Sequence, residues 1–261
     1  MIDIGSLKEK IDTAQMVLVG VGEEFNGKQF LHQQSSYVRL EAQLKEQEKY
    51  LWLLPYLQYY FLKENNELIS AMQSLKELLQ RKNYFVVTTC MNGLLDGAGF
   101  REDRLVSPCG GFAKLQCESS GCNYLCATPD TLYGQIEEWI HGEREVGKID
   151  AGACPECGAT LQFNSLYTEN YKEAGYLDMW QTYTRWLQGT LNKQVCVLEL
   201  GVSLDFPSVI RFPFEKIAFF NQKASFIRIH EKLYQLSADL GGKGISVAEN
   251  AVKFLNSLEK V

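Results

Sequence analysis

Histidine is scarce in this chain, with three residues in 261: His32, His141 and His230. Few positions therefore offer an imidazole for proton transfer. An excess of positive charge is also missing. Lys and Arg total 26 against 32 Asp and Glu, a formal net charge of -6. That balance argues against a nucleic-acid partner, which calls for a basic face, but leaves room for a small anion, because backbone amides hold phosphate without basic side chains. Long apolar runs are absent as well. The longest, Leu51 to Leu62, is broken by Pro55 and Gln58 and falls short of the ~20 residues of a membrane span, so no membrane association is expected. The first residues, Met1-Ile2-Asp3-Ile4-Gly5-Ser6, lack a basic segment followed by an apolar core, so no secretion signal is expected. No internal repeat or low-complexity tract is present.

What remains is the composition of an ordinary globular protein, 46% hydrophobic and 22% charged, long enough for one large core and a satellite module. Eight cysteines without a secretion signal point to metal or thiol chemistry in a reducing cytoplasm rather than to a disulfide framework. Two knuckles stand out: Cys117-x4-Cys122, and Cys154-Pro155-Glu156-Cys157-Gly158. Each pair can give two thiolates to one tetrahedral ion, and the four together match a structural zinc site. Cys126 offers an alternative partner for Cys122. Leu115-Gln116-Cys117 reads as a strand feeding a knuckle, which favours the set Cys117, Cys122, Cys154 and Cys157. A closed shell of four thiolates leaves no open position for chemistry at the metal.

The rest of the chain alternates strand and helix patterns. Asn83 to Thr88 is an apolar, β-branched run that stops in Thr89-Cys90-Met91-Asn92, followed by a Gly-rich turn to Phe100. A buried parallel strand that delivers a loop to a sheet edge reads this way, and ligands of open α/β sheets bind at such strand ends. Met16 to Val19 is a similar short run ending in Gly20-Val21-Gly22. Val195 to Leu200 ends in Gly201-Val202-Ser203-Leu204, and Ser225 to Ile229 ends at His230. Helical periodicity covers 7–15, most of 30–82 with an interruption at Pro55, Leu132 to His141, Trp180 to Leu191, and the tail from Ser246 to Leu258. The aromatics Tyr50, Trp52, Tyr56, Tyr59, Tyr60 and Phe61 lie at helical spacing and read as core or groove wall. The fold class is α/β: a Rossmann-like parallel sheet with helices on both faces, plus a small domain made of a zinc ribbon and a helical module. The expected division is 1–30, 81–104 and 161–261 for the sheet domain, 31–80 for the helical module and 105–160 for the ribbon.

In their order, these pieces resemble the sirtuin family over most of the chain: a Gly-x-Gly strand end, a helical segment, Val86-Val87-Thr88-Thr89 with Ala98-Gly99-Phe100 behind it, a zinc ribbon, and the Gly201-x-Ser203-Leu204 strand end. Tyr84 to Thr89, Gly97 to Phe100 and Gly110 to Cys117 look most like a divergent microbial branch linked to macrodomain operons, whose associated activity is ADP-ribosyl transfer. The resemblance implies NAD or ADP-ribose as a bound nucleotide. It implies cofactor contacts at Gly20, Val21, Gly22, Glu23, Thr88, Thr89, Cys90, Gly201, Val202, Ser203 and His230. A protein substrate or partner is also implied.

The departures are specific. Where sirtuins read Thr-Gln-Asn-x-Asp, this chain has Thr88-Thr89-Cys90-Met91-Asn92, and the position of the catalytic histidine is Cys109. The loop that covers NAD shrinks to Gly20 to Phe25, and the substrate strand is replaced by Leu161 to Leu166. The positions matching catalytic residues are thus Cys109, Cys90 and Asn92. A thiol of ordinary pKa ~8.5 is a poor base beside an imidazole of ~6.5, and losing such a base costs ~100- to 10,000-fold. Standard deacetylation is therefore expected to be lost. Three readings stay open: a nucleotide-binding module; an NAD-consuming transferase with a cysteine-containing site, by ADP-ribosyl transfer or deacylation; and a protein-interaction scaffold. Cys90 and Cys109 could be reactive thiols or small pocket fillers, and His230 a ribose ligand or a strand cap.

Overall fold

A computed structural model describes residues 4–258. The chain runs through α1 (Ile4–Thr13), β1 (Met16–Val21), α2 (Lys28–Leu31), α3 (Ser35–Glu46), α4 (Leu54–Leu62) and α5 (Asn66–Leu79). Next come β2 (Asn83–Thr88), α6 (Leu94–Gly97), β3 (Leu105–Val106), β4 (Gly110–Cys117), β5 (Leu125–Ala127), α7 (Asp130–His141) and β6 (Leu161–Ser165). It ends with α8 (Leu177–Gln188), β7 (Val195–Leu200), α9 (Arg211–Phe220), β8 (Ser225–Ile229), β9 (Gly244–Val247) and α10 (Ala251–Ser257). No helix of the described residues is long and apolar enough to cross a membrane.

Six strands form a parallel sheet in the order β3-β2-β1-β7-β8-β9. β1 and β7 are buried at every position, as expected of strands covered on both faces, which read as continuous apolar runs. Their side chains alternate between two cores. Val17, Val19 and Val21 pack with Leu7, Leu75, Leu79, Val252 and Leu255 of α1, α5 and α10. Met16 and Leu18 face Tyr183 and Trp186 of α8 and Phe214 of α9. The strand order reverses between β1 and β7, which makes the crevice outside their carboxyl ends the ligand position of such a sheet.

A second, antiparallel sheet has the order β5-β4-β6. Two expected boundaries move here. β3, assigned by sequence to the ribbon, pairs with β2 in the large sheet. β6, assigned to the sheet domain, pairs with β4, Leu161 lying opposite Cys117. The cause is local: Cys154 and Cys157 draw the chain up against Cys117, so the strand that follows is laid along β4. The interruption at Pro55 proves to be a helix start, since Pro55 lies in the first turn of α4, where its missing N–H leaves no bond unmade. The aromatic segment is packing, as expected. Tyr56 stacks on Tyr133 of α7 at 4.7 Å between centroids and meets Phe112 of β4 edge-on at 5.2 Å. Trp52 meets Phe163 of β6 at 5.1 Å.

Candidate functional site

The expected site residues do gather at the carboxyl ends of β1, β2, β7 and β8, but the space between them is filled by the chain itself. After β1, Gly22 opens a single 3-10 turn, Glu23–Asn26. A Cβ on Gly22 would lie 2.4 Å from the Cα of Val202, so the loop after β1 touches the loop after β7. Glycine is required by that close approach. A Cβ on Gly20 would meet Ile210 at 2.4 Å and Phe214 at 2.9 Å, so its missing side chain admits α9 against the sheet. Val21 belongs to the apolar core.

Two carboxylates occupy the donors of this crevice. Glu23 accepts a hydrogen bond from the Thr89 hydroxyl on one oxygen and from the Ser203 amide on the other, both at 2.7 Å. Glu24, absent from the sequence-based set, accepts from the amides of Ala251 at 2.6 Å and Glu231 at 2.9 Å. Burial pushes its carboxyl above the ordinary carboxylate range, partly offset by those two amides. Thr88 is turned back into the strands, its hydroxyl donating to the Val21 carbonyl at 3.0 Å and accepting from the Cys90 amide.

His230 caps its strand. Its Nδ1 accepts from the amides of Lys232 and Leu233, each at 3.0 Å. An Nδ1 that accepts carries no proton, so the ring is neutral with its proton on Nε2. Burial, aided by the Arg211 charge, lowers its pKa in the same direction. The 3.3 Å approach of Nδ1 to Glu24 is therefore a contact with a neutral ring rather than an ion pair.

The candidate catalytic positions are equally enclosed. Cys90 is 5% exposed and Cys109 1%. The Cys90 thiol points to the Gly22 carbonyl at 3.1 Å and is pushed upward by burial. Burial, with the Glu23 carboxylate behind it, pushes the Cys109 thiol up to about 12. Both are neutral thiols at physiological pH, the opposite of an activated nucleophile. Asn92 donates to the Phe25 carbonyl at 3.2 Å and accepts from the Leu94 amide at 3.3 Å, so it fastens the loop after β1 to the start of α6.

Behind the crevice lies a buried charge cluster that the sequence reading missed. Glu199, on β7, accepts from Arg228 at 2.7 and 3.0 Å and from Arg211 at 3.2 Å. Arg211 also donates to the carbonyls of Val202 and Leu233, and Arg228 to that of Gln235. The cluster thus ties the loops after β7 and β8 to the sheet. A charged residue inside the apolar run Val195 to Leu200 was the available signal.

In the small sheet, the sulfurs of Cys117, Cys122, Cys154 and Cys157 all lie within 4.8 Å of one another. Cys117 and Cys157 are 3.4 Å apart, Cys122 and Cys154 3.6 Å. Four thiolates about 2.3 Å from one tetrahedral ion stand about 3.8 Å apart, so the donor set and spacing fit such an ion. Gly158 takes a positive φ of 76° and donates its amide to the Cys154 carbonyl at 2.8 Å, closing the second knuckle. Cys126 sits on β5 opposite Leu115, outside the four-cysteine cluster.

The chain has the fold of the sirtuins. It superposes on Sir2Tm bound to a propionylated peptide with a TM-score of 0.58 and 11% identity, covering 99% of this chain and 98% of that one. A Sir2 homologue mutant in complex with ADP-ribose gives a TM-score of 0.59 and 14% identity over 99% and 96%. In sequence, a protein ADP-ribosyltransferase of Staphylococcus aureus is 22% identical over 181 residues, 68% of this chain. The chain spans 56% of the length of that curated relative. No family model matches the chain.

Proposed function

Starting from a divergent sirtuin fold, we propose that this protein is a nucleotide-binding module that takes NAD or ADP-ribose at the ends of β1, β2, β7 and β8 and does not perform ordinary deacylation. The observation that carries this reading is Cys109. It holds the position of the family's base, yet it is enclosed and its thiol is pushed up to about 12. Such a group keeps its proton at neutral pH and cannot take one from a ribose hydroxyl. Structural neighbours that hold ADP-ribose, or NAD with a peptide, support the ligand class. The four-cysteine cluster is proposed as a zinc site, which stabilises the ribbon and supplies no reaction.

A second reading, ADP-ribosyl transfer to a protein, is favoured by the name of the Staphylococcus aureus relative. Two measurements test the pair. NAD and ADP-ribose at millimolar concentration should raise the melting temperature; no shift with either removes the nucleotide reading. Incubation with NAD and an acetylated peptide, followed by mass spectrometry, should show no loss of acetyl. A mass gain of one ADP-ribose on a protein acceptor would instead establish the second reading.

A further inference from the structure

The crevice at the β1/β7 reversal presents polar hydrogens from three directions: the Thr89 hydroxyl after β2, the Ser203 amide after β7 and the Glu231 amide after β8. Donors at these strand ends are what an α/β sheet offers to a ligand's phosphates. Here each is already satisfied by a carboxylate of the turn after β1, through Glu23 and Glu24 at 2.7 to 2.9 Å. The fit extends to the backbone. Gly22 lies against Val202, and a Cβ on Gly201 would meet the Cβ of Glu24 at 2.6 Å. The loop after β1 is thus in direct contact with the loop after β7.

We infer that Glu23 and Glu24 are specificity-determining residues that stand in for a ligand's phosphates, so a phosphate-bearing nucleotide enters only by displacing the turn Glu23–Asn26. The inference rests on the nucleotide reading above for the identity of the natural ligand, but the occupancy of the donors stands without it. A carboxylate and a phosphate cannot share one set of hydrogens: both bring only acceptor oxygens and negative charge. Binding therefore competes with closure, and the apparent affinity is the intrinsic affinity scaled down by the small fraction of molecules in which the turn has moved.

The test uses the zinc-loaded full chain and its E23A, E24A and E23Q variants, with ADP-ribose, adenosine and inorganic phosphate as probes. Removing either carboxylate vacates donors, so ADP-ribose should bind the alanine variants about tenfold or more tightly than the native chain, while adenosine, which lacks phosphate, gains nothing. E23Q keeps the side-chain volume should E23A fold poorly, and should gain in the same direction. D205N removes an exposed charge from the loop after β7 without vacating any of these donors, and should leave ADP-ribose affinity unchanged. Unchanged or weaker ADP-ribose and phosphate binding by folded E23A, E24A and E23Q overturns the inference, as does an equal gain in D205N, which would reduce the effect to net charge. If inorganic phosphate raises the melting temperature of E23A and E24A but not of the native chain, while no nucleotide binds any of them, the donors are confirmed as occupied and the nucleotide reading alone fails.

Discussion

Replacing Glu199 by glutamine keeps the volume of a side chain that is fully enclosed and removes one charge. Arg228, itself 1% exposed, then retains the Gln235 carbonyl and the Glu215 carboxylate at 2.7 Å. Arg211 retains two carbonyls and no counter-charge of its own. Removing one member of a buried ion cluster costs about 3–5 kcal/mol, because the remaining charge stays desolvated and uncompensated. Against a typical stability of about 5–15 kcal/mol that is a large share, equivalent to a drop on the order of 10 °C in Tm for a chain of this size. Urea titration followed by circular dichroism gives the number directly. Hydrogen exchange should also accelerate at Val202, Leu233 and Gln235, because those loops are held by the arginines. A loss below about 1 kcal/mol, the scale of an exposed pair, would refute the claim that the cluster is a buried fastening.

Three further outcomes are expected. Elemental analysis should find about one zinc per chain, and Cys154→Ser should lose it together with the β4–β6 pairing; full retention of the metal would point to other ligands. In the zinc-loaded chain at neutral pH, maleimide should label Cys126 quickly and leave Cys90, Cys109 and Cys196 slow, since those three are buried with raised pKa values; equally fast labelling at Cys90 or Cys109 would revive a reactive-thiol site. Glu24 is raised above its unfolded value, so its contribution to stability is full below the unfolded pKa and is lost as pH rises through the folded one. Glu24→Gln lacks that dependence, so its stability relative to the native chain should improve as pH rises from the unfolded value of 4.5; a gap in urea midpoints that stays constant as pH rises would contradict the shift.

The parallel strands were legible because β1, β2, β7 and β8 are short, largely apolar runs that stop at a glycine or a polar residue, and burial on both faces imposes the run. α9 and β9 were not. Pro207 and Pro213 interrupt the periodicity around Arg211–Phe220, and Gly244–Val247 is four residues of an edge strand. Cys154-x-x-Cys157 read as a metal knuckle by itself, whereas the place of Cys126 outside the four-cysteine cluster required the register of β5 on β4. The expected site residues lie together near the carboxyl ends of the strands, but their hydrogen-bond partners were not legible. Glu23 bonds to Thr89 and Ser203, 66 and 180 positions away, and no local pattern reveals which donors a folded chain has already used.

The aromatic packing around Tyr56 has a mechanical meaning. Rings from α4, β4, α7 and β6 converge there, so the helical segment and the ribbon share one packed block. The peptide from Ser107 to Cys109 crosses from β3 in the parallel sheet to β4 in that block. Cys109, 1% exposed, thus sits where the chain passes from one sheet to the other, enclosed by both.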